Sequence, residues 1–302
     1  MPKVHIVTDS AVTITPDVAE QLGITIVPLT VHVDDDDSTA RLEAKSETVE
    51  IYQDGTVVDH EELLLRMGSN RVHPSIVGPT ADQFRRVYAR LTRQTSQIIS
   101  LHSSGSLSLT CREAQRAARE FLGRCDIMVI DSETISLGLS ILVQEAAKLA
   151  NQSITLGEIM RRIRGIIPHI YVVLITNTLD YLEHSGLISP AQAILGAMLD
   201  IRPFLAIEEG QIIPMEKVRS RERAIDKLAE FASEFSSIEQ IAILQSTSYP
   251  TEQTKMLRER LQPIVADREL PILLYGPLLA SHIGPDGMGL IVYEGPSRRV
   301  LY

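Results

Sequence analysis

Tryptophan is absent from the sequence, phenylalanine occurs five times and cysteine twice. Two cysteines, Cys111 and Cys125, are too few for a disulfide framework and cannot by themselves form a thiolate zinc site. That usage points to a reducing compartment, and the expectation is a cytoplasmic protein. The opening residues Met1-Pro2-Lys3-Val4-His5 contain no apolar signal core, and no hydrophobic run approaches membrane-spanning length, so stable membrane insertion is not expected. Positive charge is also in short supply: 29 Lys and Arg stand against 39 Asp and Glu, a net charge of −10. Broad binding to nucleic acid or anionic membrane, which needs a basic face, is thereby disfavoured. Two catalytic signatures are missing as well. Without Gly-x-x-x-x-Gly-Lys-Ser/Thr there is no P-loop for autonomous phosphoryl transfer, and without Gly-x-Ser-x-Gly there is no nucleophile elbow.

With so few aromatic residues the interior must be built from Ile, Leu, Val and Ala. Such an interior is ordinary core, and it would equally suit a smooth tunnel for an alkyl chain. At 302 residues two domains are expected. Apolar strands alternate with helices through the first half: strands over Val4–Val7, Thr25–Val33 and Cys125–Ile130, helices from Pro16, Thr80, Ile135 and Thr155. Thr80 with Gln83 and Thr155 with Glu158 have the form of capping boxes. This order predicts an α/β domain with a mainly parallel sheet over residues 1–167, with ligand sites at the strands' carboxyl ends. After a boundary near Pro168, hairpin and strand signals predict a second α/β domain over 168–302 with a mixed or antiparallel sheet. Asp54-Gly55 and Glu208-Glu209-Gly210 read as hairpin turns, Ser69–Pro79 and Ala280–Gly289 as loops, and Asp34–Asp37 as the start of a solvated loop rather than a calcium site.

The densest chemistry lies in Ser100–Leu109, SLHSSGSLSL, between an apolar strand and a helix beginning near Thr110. Hydroxyls, a glycine and a helix start converge there, a combination suited to phosphate or carboxylate. Ser104 or Ser106 is the best hydroxyl donor; Ser108 is either a ligand contact or the helix N-cap. His102 reads as a structural histidine, and Asp9 and Asp131, each ending a strand, as loop-capping carboxylates. Ala191, Ile194, Leu195 and Met198 share one helix face and are expected to pack inward.

Several of these pieces, in order, resemble the DegV family of bacterial lipid-binding proteins. They are Thr8-Asp9-Ser10, Val27-Pro28-Leu29-Thr30, the serine loop with Thr110 and Ala114, and Val129-Ile130-Asp131-Ser132. In the second half they are Leu179-Asp180-Tyr181-Leu182, Ile201-Arg202-Pro203, Gly210, Lys217-Val218-Arg219-Ser220 and Ser281-His282-Ile283-Gly284-Pro285. The resemblance implies two α/β domains with a long-chain fatty acid held between them. The tail would lie in an apolar tunnel, the carboxylate would be gripped by hydroxyls and amides of the first domain, and no cofactor or metal would be needed. It also implies a non-catalytic carrier that presents the acid to a partner kinase, which makes an acyl phosphate for phospholipid synthesis. The implied ligand residues are Arg71, Ser104, Gly105, Ser106, Ser108, Arg219 and His282. Three positions depart from the family pattern: Arg71 replaces a threonine, Leu109 a glycine and Leu187 an arginine. Arg71 could strengthen the grip through a charge-assisted bond and compensate the charge lost at Leu187. Against the carrier stand two alternatives: a hydrolase with a loop serine as nucleophile and His102 or His282 as base, and a carrier of a different amphiphile.

Overall fold

A computed structural model describes residues 3–34, 49–53, 60–70, 73–199, 201–265 and 268–295. The first unit contains β1 (His5–Asp9), α1 (Pro16–Leu22), β2 (Ile24–Val27), β3 (Thr30–Asp34), β4 (Val49–Gln53), α2 (His60–Asn70), β5 (Ser75–Val77) and α3 (Ala81–Leu91). It continues through β6 (Gln97–His102), α4 (Thr110–Ala118), β7 (Asp126–Asp131), α5 (Leu137–Asn151) and α6 (Leu156–Ile166). The second contains β8 (Ile170–Ile175), α7 (Asp180–His184), α8 (Pro190–Met198), β9 (Arg202–Glu208), β10 (Gln211–Val218) and α9 (Arg221–Ser233). It ends with β11 (Ile238–Gln245), α10 (Glu252–Val265), β12 (Ile272–Leu274), α11 (Pro277–Ile283) and β13 (Met288–Glu294).

Four parallel strands form the first sheet in the order β2-β1-β6-β7, and six form a mixed sheet in the order β10-β9-β8-β13-β11-β12. The two α/β units expected from the sequence are present. All strands of the parallel sheet precede the turn at Ile167–His169, and all strands of the mixed sheet follow it. Neighbouring residues on one strand face opposite ways, and the burial clusters follow that alternation. Val7 and Ile98 pack under α3 and α4 with Phe84, Tyr88, Ala114 and Ala117. Ile6 and Ile99 point to the other face, towards Leu139 and Leu142 of α5.

Helix α5 explains how the units join. Its sequence reads as amphipathic, yet Leu139, Ile141, Leu142, Val143, Ala146 and Ala147 are all buried, and Lys148 is among its few exposed residues. A helix apolar on every side must be covered on every side. Here one face meets β1 and β6 and another meets β8 and β13, so a single aliphatic cluster, including Leu174, Leu205 and Ile291, runs through both units.

Four expectations are corrected. The strand predicted over Thr25–Val33 is two, because Pro28 lacks the N–H needed to continue the ladder. Strand β2 stays in the parallel sheet, while β3 joins β4 and β5 in a separate three-stranded antiparallel sheet. The loop predicted over Ser69–Pro79 contains β5. The loop predicted over Ala280–Gly289 begins inside α11, which starts with Pro277 at a position needing no N–H and stops at Gly284 (φ 77°). Finally, α8 does not turn its large residues inward. It buries Ala193 and Gly196 and leaves Ile194 61% and Met198 77% exposed. Leu179 packs so closely on Gly196 that a Cβ there would collide with it, and this small contact decides which face goes in. The hairpin predicted around Asp54-Gly55 and the Asp35–Asp37 part of the acidic stretch lie outside the described residues. Among the described residues, no helix is long and apolar enough to cross a membrane.

Candidate functional site

The carboxyl ends of β1, β6 and β7 lie side by side, and β1 is the strand from which the chain departs in both directions of the sheet order. Ligands of open α/β sheets bind at such a switch point. The serine loop leaves from this edge and leads into α4.

Two strand-ending carboxylates hold the loop. Asp9 is fully buried and accepts four hydrogen bonds. Its Oδ2 takes the Ser103 N–H at 2.9 Å, the Ser103 hydroxyl at 3.2 Å and the His102 ring through Nδ1 at 3.1 Å; its Oδ1 takes the Ala11 N–H at 3.0 Å. Asp131 accepts the Gly105 N–H at 3.0 Å and the Glu133 N–H at 2.9 Å. A side chain at Gly105 would place its Cβ 2.5 Å from Asp131 Oδ2, so the close approach requires glycine. Both aspartates cap loops, as read from the sequence.

Behind Asp9 the hydrogen bonds continue inward. Tyr88 donates its hydroxyl proton to Ser100 Oγ at 2.7 Å, and Ser100 Oγ lies 2.7 Å from His102 Nε2. The Asp9 carboxylate only accepts, so Nδ1 carries a proton towards it, and in that neutral tautomer Nε2 accepts from the Ser100 hydroxyl. The connectivity Ser100–His102–Asp9 matches that of a hydrolytic triad. Its setting does not: all three residues are 0% exposed, and Ser100 is in a central strand under α3.

Ser104 is buried and makes a contact between the units, donating to the Gly210 carbonyl at 2.6 Å while accepting the Ser106 N–H at 3.1 Å. Gly210 sits with Glu209 in a two-residue turn joining β9 and β10, both at positive φ (78° and 49°), the geometry of a type I′ hairpin. Ser106 is exposed. Ser108 is half-buried, with Oγ 2.6 Å from Thr110 Oγ1 and accepting the Thr110 N–H at 3.2 Å. It is not the N-cap of α4; Leu109 occupies that position and supplies no capping side chain. Gly105, Ser106 and Ser108 line a cavity of about 440 Å3 with Ile76, Val77 and Leu107.

From the second unit, His282 in the last turn of α11 lies beside the Leu107 backbone of the loop. Its Nδ1 is buried without a partner. Burial pushes the imidazole below its ordinary range, and the Leu107 backbone opposes that shift. Arg219 is exposed, and its carbonyl accepts from Arg202 Nη1 at 3.3 Å. Leu187 is half-buried against the shared aliphatic cluster. Arg71 lies outside the described residues. The structure therefore brings Ser104, Gly105, Ser106, Ser108 and His282 to one place, while the described geometry does not bring Arg219 into contact with them. Among the described residues no group of three or more His, Cys, Asp or Glu is arranged to hold a metal.

One residue of the seam escaped the sequence reading. His73 stacks on His184 and tilts against Tyr181, each at 4.5 Å between ring centroids, and its Nδ1 is buried without a partner. Burial and the neighbouring His184 hold its pKa down, against Asp180. The only local signal is its place in Ser69–Pro79, the stretch that reads as a loop in the sequence. His5 is lowered as well, by burial and by Lys3 and Arg90. Three histidines thus have folded-state pKa values below the unfolded 6.5. The unfolded chain then binds more protons, so stability is complete above that value and falls as pH drops below it. Urea midpoints of ligand-free protein should be lower at pH 5.5 than at 7.5, and His282→Gln should narrow the difference. Equal midpoints would contradict this.

A family model described as an uncharacterised protein of the DegV family matches residues 3–295. A DegV domain-containing protein of Deinococcus radiodurans is 30% identical over 294 residues, covering 95% of this chain and 97% of that one. Another, from Streptomyces coelicolor, is 31% identical over 297 residues, covering 96% and 98%. Among solved structures, one described as fatty acid binding of a DegV family protein from Thermus thermophilus superimposes with a TM-score of 0.80 at 26% identity, covering 98% of this chain and all of that one (100%). A fatty acid binding DegV family protein from Streptococcus agalactiae shares the fold, with a TM-score of 0.82 at 20% identity over 98% and 100% of the two chains.

Proposed function

The chain belongs to the DegV family, and from that premise we propose that it binds a long-chain fatty acid between its two units, carboxylate at the serine loop. The observation that carries this reading is His282 Nδ1, a buried polar atom with no partner, held beside the loop where hydroxyls and apolar side chains meet. A buried polar atom left unpaired is costly unless a ligand satisfies it. Protonated, the ring can give one N–H to Leu107 and the other to a carboxylate, neutralising its charge. Ser106 and Ser108 add hydroxyls, and Arg71 is proposed as a charged substitute for the family's threonine.

The tail is assigned to the aliphatic seam. Leu107, Leu179, Leu187 and Ile188 are half-buried against the cluster shared by both units. Leu179 and Ile188 also line an apolar groove of about 670 Å3 beside α8. Each buried methylene contributes about 0.8 kcal/mol, so the tail dominates affinity and the head group sets orientation. The similarity to the Thermus thermophilus protein supports the ligand class. In this scheme the chain is a cytoplasmic carrier whose exposed Gly105–Ser106 side offers the carboxylate to a partner kinase for acyl-phosphate formation. A hydrolase is less well supported, because Ser100, His102 and Asp9 are all 0% exposed, which keeps a substrate carbonyl from Ser100.

The reading is tested by titrating oleate into wild-type and His282→Ala protein. A lost bond to a charged group costs about 1.5–3 kcal/mol, so affinity should fall roughly tenfold to a hundredfold. An unchanged affinity would remove His282 from the site.

A further inference from the structure

Helices α3 and α4 lie side by side and parallel over one face of the first sheet: Arg85 Nε reaches Glu120 at 2.8 Å, and the Ala81 N–H reaches Glu113 at 3.1 Å. Residues 81–124, which contain both, include eight Arg and no Lys, against Asp82, Glu113 and Glu120. That local excess stands in a chain of net charge −10. The inner faces are defined by buried Phe84, Tyr88 and Leu91 on α3 and by Cys111, Ala114 and Ala117 on α4. At 100° per residue, Arg86 and Arg90 lie opposite the first set, with Arg93 two residues past the end of α3, and Arg112 and Arg116 lie opposite the second, with Arg119 at the C-cap of α4; all six are exposed. Packed helices bring the two rows about 10 Å apart.

Folding accounts for part of the pattern: Arg90 and Arg116 lie in the last turns of α3 and α4, where a cation compensates the helix dipole, and Arg116 also reaches Glu113 at 3.9 Å. It does not account for Arg86 in the middle of α3, or for Arg112, the third residue of α4, where a positive charge is unfavourable. Arginine rather than lysine suits planar, bidentate capture of carboxylates. We infer that the outer face of α3 and α4 is a docking surface for an acidic protein, one presenting carboxylates repeated along a helix. The acids within the field, Asp82, Glu113 and Glu120, favour a protein over a duplex or an anionic bilayer. A protein surface can meet them with cations of its own, whereas a continuous phosphate layer is repelled. Leu109, the N-cap of α4, and Leu122, just past the 3-10 turn that follows it, are 59% and 78% exposed and supply the apolar anchors that a protein interface uses beside its arginines. The cavity holding Ser106 and Ser108 is also lined by Thr80, which caps α3, and by Glu113 of α4, so a partner on this face lies next to the serine loop.

The inference stands independently of the fatty-acid reading, and its test uses no lipid ligand. Two fluorescent 21-residue helical peptides of equal composition are titrated at 50 mM salt, one with Glu at i, i+4 and i+7 in a stripe and the other with Glu distributed around the helix. The striped peptide should bind at least tenfold more tightly, and the R86Q/R90Q/R116Q/R119Q variant, whose changes are all exposed and should leave a single cooperative urea transition, should lose that preference. Equal binding of the two peptides would overturn the inference. So would a preference that survives the variant, or tighter binding to phosphatidylglycerol vesicles or a 20-base-pair duplex than to the striped peptide.

Discussion

Asp9→Asn should destabilise the chain by at least about 1–3 kcal/mol, the cost of leaving a buried donor without its acceptor. The two side chains have the same shape, so the effect is one of hydrogen-bond chemistry. Oδ2 of Asp9 faces three donors, the Ser103 N–H, the Ser103 hydroxyl and the His102 ring, while Oδ1 faces the Ala11 N–H. Asparagine has one acceptor oxygen and an NH2 group, and either orientation of its amide points donors at donors. Asp9→Asn should therefore be at least as damaging as Asp9→Ala, which leaves the same groups unpaired without opposing them. Urea unfolding of both variants at pH 7.5 checks this ordering. A nearly neutral Asn variant would mean that the Asp9 network does not hold the loop.

The second large effect is expected at Gly210. Its φ of 78° costs a residue with a Cβ roughly 1–2 kcal/mol. The added Cβ would also collide with Ser104 Oγ and break the bond between the serine loop and the β9–β10 turn. Gly210→Ala should lose stability on both counts and weaken oleate binding. Gly210→Asn separates them, since asparagine tolerates the left-handed region but still carries a Cβ. It should recover part of the stability and none of the affinity. If Asn restores both, the contact between the units at Ser104 does not matter to the ligand.

These two positions also mark the limit of what the sequence discloses. Features whose causes lie within a few residues were legible. The capping boxes at Thr80–Gln83 and Thr155–Glu158 form as the spacing predicts, and the Glu209-Gly210 turn joins the strands on either side. The Asp9–His102 and Ser104–Gly210 contacts join residues 93 and 106 positions apart, and no local pattern encodes such partners. Periodicity told only part of the truth for α5 and α8. It located both helices but did not reveal that two sheets cover α5, or that α8 buries its two smallest contacts and turns its large residues out. Pro277 and Gly284 bound α11, and Ala280–Gly289 nevertheless reads as a loop in the sequence because glycine and proline mark helix ends as well as turns. The serine loop stood out from its composition alone, whereas its meeting with His282 across the seam exists only in the folded chain.

The central claim is that this chain carries a fatty acid, and native mass spectrometry of freshly purified protein tests it most directly. The account predicts one bound ligand per chain, released on denaturation with the mass of a long-chain monocarboxylic acid, and uptake of oleate by stripped protein at the same stoichiometry. A chain that is ligand-free as isolated, fails to take up oleate and instead cleaves lipid esters would contradict it.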